Sequence, residues 1–505
     1  MQEPRPPSLL DALLPVFVLI ALLALTIVLF GVDAANGPLQ VALLLAAAFA
    51  CLIALKNGHT IVQIREAAVS GVSSAMGAIF ILLAVGALIG TWNMAGTIPT
   101  VVHLGIGILS ANWFFVAAAL VCAVVGMITG SSWTTAGTLG VAFVGMAKVI
   151  GVSPEIAAGA VISGAYFGDK MTPLSETTIL VPQLVGGLTV MEHVKHMLWT
   201  ALPALGVSLI IFAVLGLTGD VSGAVDKKTA QDAIESVFSI SFWNLLPLFL
   251  MVFLTFKQVP PFLALIGCAL LAGLMAPITQ WNAVEAFTGE PGQSAVATSA
   301  KAIYGAMANG FVSNSGISPI DSLFSRGGMA SMLTTVWLIL GALSFAAIVE
   351  HAGFLDRLLK PIVSWARSTG TLISSVVGAG IGLNVIAGDQ YVADVLPARM
   401  FRTEFQRRGL APQNLSAAVE NAGTVTSVLI PWNSCGAYIA GVLGVSTISY
   451  LPYCFFNILS PILAVVFGFL GFKVARLPGD PAASETPPST RGAVVPEPQP
   501  APKEA

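Results

Sequence analysis

The chain has 505 residues, of which 56% are hydrophobic and only 9% are charged, and its mean hydropathy is +0.87. Soluble proteins carry about 25% charged residues. The composition therefore excludes a soluble globular protein and predicts an all-α polytopic membrane protein. The formal net charge of −3 says little, because in a membrane protein the placement of charges matters more than their sum. The five cysteines show neither metal-ligand spacing nor a secreted-type framework.

Apolar runs follow one another along the chain. The first, Leu9–Phe30, is long enough to span a bilayer and ends without a small-residue cleavage site, so we expect a membrane span and not a signal peptide. The expected organisation has five parts: a lead with two spans (1–64), a first repeat (65–218), a linker with two spans and polar loops (219–318), a second repeat (319–476) and a disordered tail (477–505).

Three stretches are expected to lie outside the spans. Lys56–Glu66 is predicted to be a polar interfacial segment, Gly219–Ser241 a polar loop, and Ile278–Arg326 a long mixed loop. Thr97–Leu109 is too short to cross a membrane comfortably and is expected to lie as an arm at the interface.

An internal repeat relates the two halves. A shift of 258 positions aligns identical residues of the two halves without gaps after Thr129, and most of these are helix-breaking glycines and prolines. The aligned pairs are Gly130 with Gly388, Phe143 with Phe401, Gly151 with Gly409, Pro154 with Pro412, Pro173 with Pro431, Gly186 with Gly444, Thr189 with Thr447, and Pro203 with Pro461. Shared Gly, Ala and Val content would not align prolines, so we infer a duplication. Paired interrupted segments in two halves are the best sequence indication of a transporter's site.

The placement of charge predicts that the second repeat is inverted. We assume three crossings and one re-entrant hairpin in each half, with the hairpins at Trp113–Ile150 and Leu372–Arg407. With the amino terminus inside, 14 of the 22 Lys and Arg residues fall on the cytoplasmic side and 5 outside, while Lys170 and two tail residues are set aside. This excess follows the positive-inside rule. Both termini are therefore expected in the cytoplasm.

The segment Gly164–Thr178, GAYFGDKMTPLSETT, combines charges and hydroxyls with helix-breaking residues inside an apolar region. Placing an ionisable group at membrane depth costs roughly 2.5 kcal/mol or more, so such groups are few and are usually functional. Irregular backbone survives there only where protein or a water-filled cavity satisfies it. This segment and its partner in the repeat, Asn421–Gly436, therefore predict a substrate or ion site.

These segments resemble the NhaC-type Na⁺/H⁺ antiporter family. The similarity is carried by GAYFGDKMTPLSETT, by GSSWTTAGTLG from Gly130 and by ENAGTVTSVLIPWNSCGAY from Glu420, and it covers roughly residues 8–476. It implies membership of a wider ion-transporter superfamily, with two inverted halves whose re-entrant hairpins and unwound helices meet near the membrane midplane. Family members exchange Na⁺ for H⁺, and some relatives exchange dicarboxylate for monocarboxylate anions. Glu176 stands where the family often has Asp, which keeps the charge on a longer arm.

Exchange of Na⁺ for H⁺ needs a group that holds either ion but never both. A buried carboxylate does this, because burial favours the protonated acid and a bound cation favours the ionised one. Asp169 is the first choice for this shared site and for Na⁺ binding, and Glu176 is the second. The alternative for Asp169 is a fixed salt bridge, although its neighbour Lys170 should point away on a regular helix. The alternative for Glu176 is a first-turn helix acid.

Asp389, at the tip of the second hairpin, is either an ion ligand or an acid that closes a turn. Glu420 and Asn421 precede the second break, and either line the site or bond between helices. Further oxygen ligands are expected from side chains clustered at the breaks, although such groups often bond back to their own helix. The neutral candidates are Ser131, Ser132, Thr134, Ser175, Thr177, Thr178, Asn421, Asn433 and Ser434.

The leading hypothesis is a secondary Na⁺/H⁺ antiporter of the cell membrane that works by alternating access. The alternative is an antiporter of the same fold for an organic anion of the malate or lactate type, coupled to Na⁺ or H⁺. An intramembrane enzyme is disfavoured, because the acids lack a histidine at metal-binding spacing and the serines lack a base. We expect the lipid bilayer and small ions as partners, no nucleic acid and no cofactor, and a homo-oligomer is an open alternative.

Overall fold

The computed structural model describes residues 4–219, 227–289, 294–313, 321 and 324–477. Over this part of the chain the protein is all-α, with one isolated backbone bridge between Leu410 and Arg476. Nine of its helices are long and apolar enough to cross a membrane, and the number rises to 11 if each of two bent helix pairs is one span. The prediction of an all-α polytopic membrane protein is confirmed.

The lead and the first half contain eleven helices. They are α1 Leu9–Phe30, α2 Pro38–Lys56, α3 Ile61–Ser74, α4 Met76–Met94, α5 Thr97–Ile108, α6 Phe114–Thr129, α7 Ser132–Thr135, α8 Val141–Ile150, α9 Pro154–Lys170, α10 Glu176–Val185 and α11 Val190–Thr218. A π-helical turn at Ala136–Gly140 joins α7 to α8.

The linker and the second half contain thirteen more within the described ranges. They are α12 Lys227–Val237, α13 Leu246–Phe256, α14 Pro261–Thr279, α15 Trp281–Thr288, α16 Ala295–Asn309, α17 Leu333–His351, α18 Phe354–Trp365, α19 Thr369–Ala387, α20 Gln390–Arg407, α21 Pro412–Thr426, α22 Ser434–Leu443, α23 Thr447–Tyr450 and α24 Phe455–Leu470.

The loop predictions were partly wrong. The expected polar loop at 219–241 contains α12, and the long loop at 278–326 contains α15 and α16. The interfacial segment at 56–66 ends inside α3, which Thr60 and Gln63 cap reciprocally. These helices are short or polar, so the apolar runs used to locate spans do not reveal them. The predicted tail from 478 onward and the acids Asp220 and Asp226 lie outside the described residues.

The backbone repeats in the two halves. The helices α4 and α17 each have 19 residues, and a left-handed glycine follows each before a 12-residue helix. The glycines of the two hairpins match closely, with φ of 65° at Gly130 and 63° at Gly388. Gly151 and Gly409 also share the left-handed region, at 78° and 66°. The duplication thus extends to local conformation, while the inverted orientation of the halves in a membrane stays a prediction.

Small residues bring α9 directly against α6. A Cβ atom at Gly164 or Gly168 would collide with backbone carbonyl oxygens of α6, at Ala119 and Ala123. Membrane helices associate closely where small residues let their backbones approach. Because α6 ends at Gly130, this packing holds the carboxyl-terminal end of α9, and with it Asp169, beside the turn that follows α6.

Replacing Gly130 by alanine tests this turn. The left-handed conformation costs a residue with a side chain about 1–2 kcal/mol, and the added Cβ would lie 2.8–3.0 Å from atoms of Leu174. We expect Gly130→Ala to lower the midpoint of thermal unfolding in detergent. Gly378→Ala is the matched control, because Gly378 lies within α19 with no atom within 4 Å of an added Cβ. An unchanged midpoint for Gly130→Ala would contradict this account.

Candidate functional site

The first broken helix meets the first hairpin at Asp169. This residue lies one position before the end of α9, and it is 9% exposed. Ser132, at the start of α7, donates from its backbone N–H (3.0 Å) and its hydroxyl (2.7 Å) to Asp169 Oδ2. The Ser175 side chain, just before α10, also interacts with this carboxyl group. The structure therefore brings three predicted site residues together at the two breaks of the first half.

The second hairpin meets the second break in a similar way, but Asp389 has a different role there. Its carboxylate caps α20, accepting from the backbone N–H groups of Tyr391 (2.8 Å) and Val392 (3.2 Å). Ser434, the first residue of α22, donates its hydroxyl to Asp389 (3.3 Å) and its N–H to the Gly388 carbonyl (2.8 Å). Of the two alternatives for Asp389, these contacts favour the acid that closes a turn.

Glu176 connects the two halves. It is exposed in the first turn of α10, and the Tyr391 hydroxyl donates to its carboxylate at 2.5 Å. A second contact between the halves stacks the Trp133 and Tyr438 rings, with centroids 4.1 Å apart. The Tyr438 hydroxyl also donates to the Trp133 carbonyl (3.1 Å). The partner that the structure shows for Glu176 is thus a tyrosine at the opposite hairpin.

Glu420 lies in a fully buried hydrogen-bonded cluster. Its carboxylate accepts from the Thr178 hydroxyl (3.0 Å) and contacts His193 Nε2 (2.5 Å). The other ring nitrogen of His193 contacts the Ser416 hydroxyl (2.5 Å). Four residues from three helices, α10, α11 and α21, therefore satisfy one another's hydrogen-bonding groups. Of the two alternatives for Glu420, these contacts favour hydrogen bonding between helices.

Lys170 points away from Asp169, as adjacent residues on a helix should. The residue is 1% exposed, and its ammonium group donates to Asn421 Oδ1 and to the Ser460 hydroxyl (3.3 Å). The Asn421 amide in turn donates to Thr200 (3.4 Å). A fixed salt bridge between Asp169 and Lys170 is not among the ion pairs of the described residues. Lys170 is instead held by neutral oxygens from the second half.

A pocket opens beside this lysine network. Its volume is about 40 Å³, which is room for a few water molecules and too little for a dicarboxylate in this conformation. The lining includes Thr200, Asn421, His196 and Lys473, but not Asp169. Lys473 is the one charged residue among the described residues of this mostly apolar lining, and the pocket lies on the Lys170 side of the site.

The remaining neutral candidates are mostly engaged locally. Ser131 and Asn433 are helix caps, accepting from the backbone N–H groups of Thr134 (3.1 Å) and Cys435 (3.0 Å). Thr177 contacts the Ser175 hydroxyl (3.2 Å). Asn433 also donates to Asn384 (3.0 Å). These bonds stabilise the turns at the breaks, as hydroxyl and amide groups near helix starts commonly do.

Sequence reasoning missed two buried ionisable residues. His193 follows the predicted site by fifteen positions and lies near the start of a helix, so only its contact with Glu420 identifies it. Asp394 stands four residues after Gln390 in α20 and is 0% exposed. An acid inside a hairpin helix was a usable signal for Asp394, because ionisable residues at depth are costly.

These features define a polytopic membrane transporter in which helical hairpins meet broken helices around buried acids. The profile of the Na⁺/H⁺ antiporter family matches residues 9–185 and 164–472. The chain belongs to the Na⁺/H⁺ antiporter family. Its relatives are antiporters, so the chain is a transporter and not an enzyme.

Three relatives show the breadth of the family. The Na⁺/H⁺ antiporter NhaC of Alkalihalophilus pseudofirmus is 37% identical over 87% of this chain and 91% of that protein. The arginine/ornithine antiporter ArcD of Halobacterium salinarum is 35% identical, with 93% of each chain covered. The malate-2H⁺/Na⁺-lactate antiporter of Bacillus subtilis is 31% identical over 93% of this chain and 96% of that protein.

Removing His193 should destabilise the protein. Breaking a buried pair by deleting one partner costs about 3–5 kcal/mol, and both side chains here are 0% exposed. We expect His193→Ala to lower the thermal midpoint in detergent strongly. His103→Ala is the matched control, because His103 bonds Glu235 at 2.9 Å but Glu235 is 56% exposed, and such pairs contribute at most about 1 kcal/mol. Equal shifts of the thermal midpoint in the two variants would contradict the conclusion that burial makes the His193–Glu420 contact the more stabilising one.

Proposed function

We propose that the protein exchanges Na⁺ for H⁺ across the cell membrane, with Asp169 as the group shared by the two ions. The observation that carries this proposal is the position of Asp169, a buried acid bonded to Ser132 where the hairpin turn and the broken helix of the first half meet. The antiporter relatives support the same exchange.

The local chemistry suits either ion. Both Ser132 bonds end on one carboxylate oxygen, Oδ2, and we place the cation or the proton at the other oxygen, Oδ1. Na⁺ prefers oxygen ligands, and the hydroxyls of Ser132 and Ser175 stand next to the carboxyl group. Burial favours the neutral acid when Na⁺ is absent, and Na⁺ favours the carboxylate. Each ion therefore displaces the other, which is the requirement for exchange.

The exchange cycle is proposed to work by alternating access. The two halves, taken as inverted repeats with both termini in the cytoplasm, would rock against each other around the site, as in transporters built from inverted repeats. Contacts that join the halves, such as Glu176 with Tyr391 and Trp133 with Tyr438, would break and re-form in each cycle.

The test of this function is Asp169→Asn in proteoliposomes. The amide keeps the size of the side chain but has no ionisable group, so it can neither take up a proton nor offer a negative charge to Na⁺. We therefore expect Na⁺-driven proton movement to fall to the background level. Asp356→Asn is the matched control, because Asp356 is an exposed acid in α18 and its loss should leave exchange unchanged. Exchange retained by a correctly folded Asp169→Asn protein would exclude this site.

A second candidate substrate is an organic anion of the malate or lactate type, with Na⁺ or H⁺ as the coupling ion. The observation that favours it is Lys170, a buried basic residue held by neutral oxygens beside a pocket that Lys473 lines. The B. subtilis relative is a malate-2H⁺/Na⁺-lactate antiporter. Lactate and malate gradients imposed on the same proteoliposomes would distinguish the substrates. Carboxylate-driven uptake that Lys170→Met abolishes would favour the anion, and Na⁺-driven exchange alone would favour the ion exchanger.

A further inference from the structure

Asp394 is a buried acid outside the Asp169 site. It lies inside α20, is 0% exposed, and packs against Gly423 and Thr424 of α21. A side chain at position 423 would collide with the Asp394 carboxyl group. The glycine therefore makes room for an acid between two helices of the second half.

The hydrogen bonding of Asp394 is incomplete. The Thr424 hydroxyl contacts Oδ2 at 2.8 Å, whereas Oδ1 has no hydrogen-bond partner within the part of the chain that the structure describes. The two helices that form this contact carry further acids, among them Glu420 on α21 and Asp389 at the start of α20. No Lys, Arg or His forms an ion pair with Asp394 among the described residues.

These surroundings suit a neutral carboxylic acid far better than a carboxylate. A buried charge without a partner is very costly, and ionisable groups in such places take their neutral form instead. With a proton on Oδ2, the acid donates to the Thr424 oxygen, and the unpaired Oδ1 is a carbonyl oxygen and not an anion. A hydroxyl can donate or accept, so Thr424 satisfies both the charged and the neutral state.

We propose that Asp394 is a second proton-binding site of this transporter. The carboxylate takes a proton from water on one side of the membrane, carries it as the buried acid, and releases it when the interface of α20 and α21 opens to the other side. This inference rests on the proposed Na⁺/H⁺ exchange and adds a second proton to its Na⁺-free step: Asp394 crosses protonated in that step and returns as the carboxylate in the step that carries Na⁺ at Asp169. In the repeat, Asp394 aligns with Ala136, so the site belongs to the second half alone.

The ratio of H⁺ to Na⁺ tests the proposal. In proteoliposomes, the voltage at which Na⁺-driven proton flux reverses reports this ratio, and we expect Asp394→Asn to lower it by about one proton per Na⁺. The amide resembles the neutral acid in size and polarity, so the variant should fold and should still exchange Na⁺ for Na⁺ without a proton gradient. Asp356→Asn serves as the exposed-acid control and should keep the wild-type ratio.

Infrared spectroscopy gives a readout that does not depend on transport. The purified wild-type protein should show the carbonyl stretch of a protonated carboxyl group in surroundings poor in hydrogen bonds, with a shift in D₂O. This band should be absent from Asp394→Asn. It should move in Thr424→Val, which lacks the hydroxyl partner, and keep its position in Thr424→Ser.

Three results would overturn the proposal: a wild-type H⁺ to Na⁺ ratio in Asp394→Asn, loss of its Na⁺/Na⁺ exchange, or a band that Asp394→Asn does not remove. Failure of the proposed function has a different signature. In that case the wild-type protein itself would show no Na⁺-driven proton movement, and the carboxyl band would still decide whether Asp394 holds a proton.

Discussion

The contact between Ser132 and Asp169 is the point on which the rest of the site depends. It requires that a hairpin turn and a broken helix reach the same place, and two features of the sequence achieve this. Gly130 turns the chain in the left-handed conformation, so that the N–H of Ser132 points away from its own helix. The glycines of α9 remove the side chains that would separate it from α6. A carboxylate that is costly to bury thereby obtains two donors.

The second half repeats this geometry with different chemistry. Gly388 turns the chain as Gly130 does, but the next residue is Asp389, whose carboxylate serves as the helix cap that Ser131 provides in the first half. The position that aligns with Asp169 is Ser427. Duplication has thus preserved the backbone turns, while the ionisable groups diverged. The buried ionisable groups therefore occupy different positions in the two halves.

Buried polar and ionisable groups at the boundary between the halves form two separate hydrogen-bonded clusters. Glu420 is bonded to His193 and Thr178, whereas the adjacent Asn421 receives Lys170. Neighbouring residues on a helix point in different directions, so one segment of α21 serves two clusters. Each cluster joins α21 to helices of the first half, and its hydrogen bonds must be satisfied internally because lipid offers none. The clusters therefore hold the halves together.

The amino-acid sequence by itself determined the class of protein, the duplication, the positions of the breaks and the presence of an acid, Asp169, beside one of them. Each of these follows from local properties, namely apolar length, helix-breaking residues and the cost of an acid at depth. Only the tertiary structure decided the partners. Which residues become partners depends on which faces of distant helices meet. The contacts decided in this way are His193 with Glu420, Tyr391 with Glu176, and Asp394 with Gly423. Helix packing sets those meetings, and no spacing along the chain encodes them.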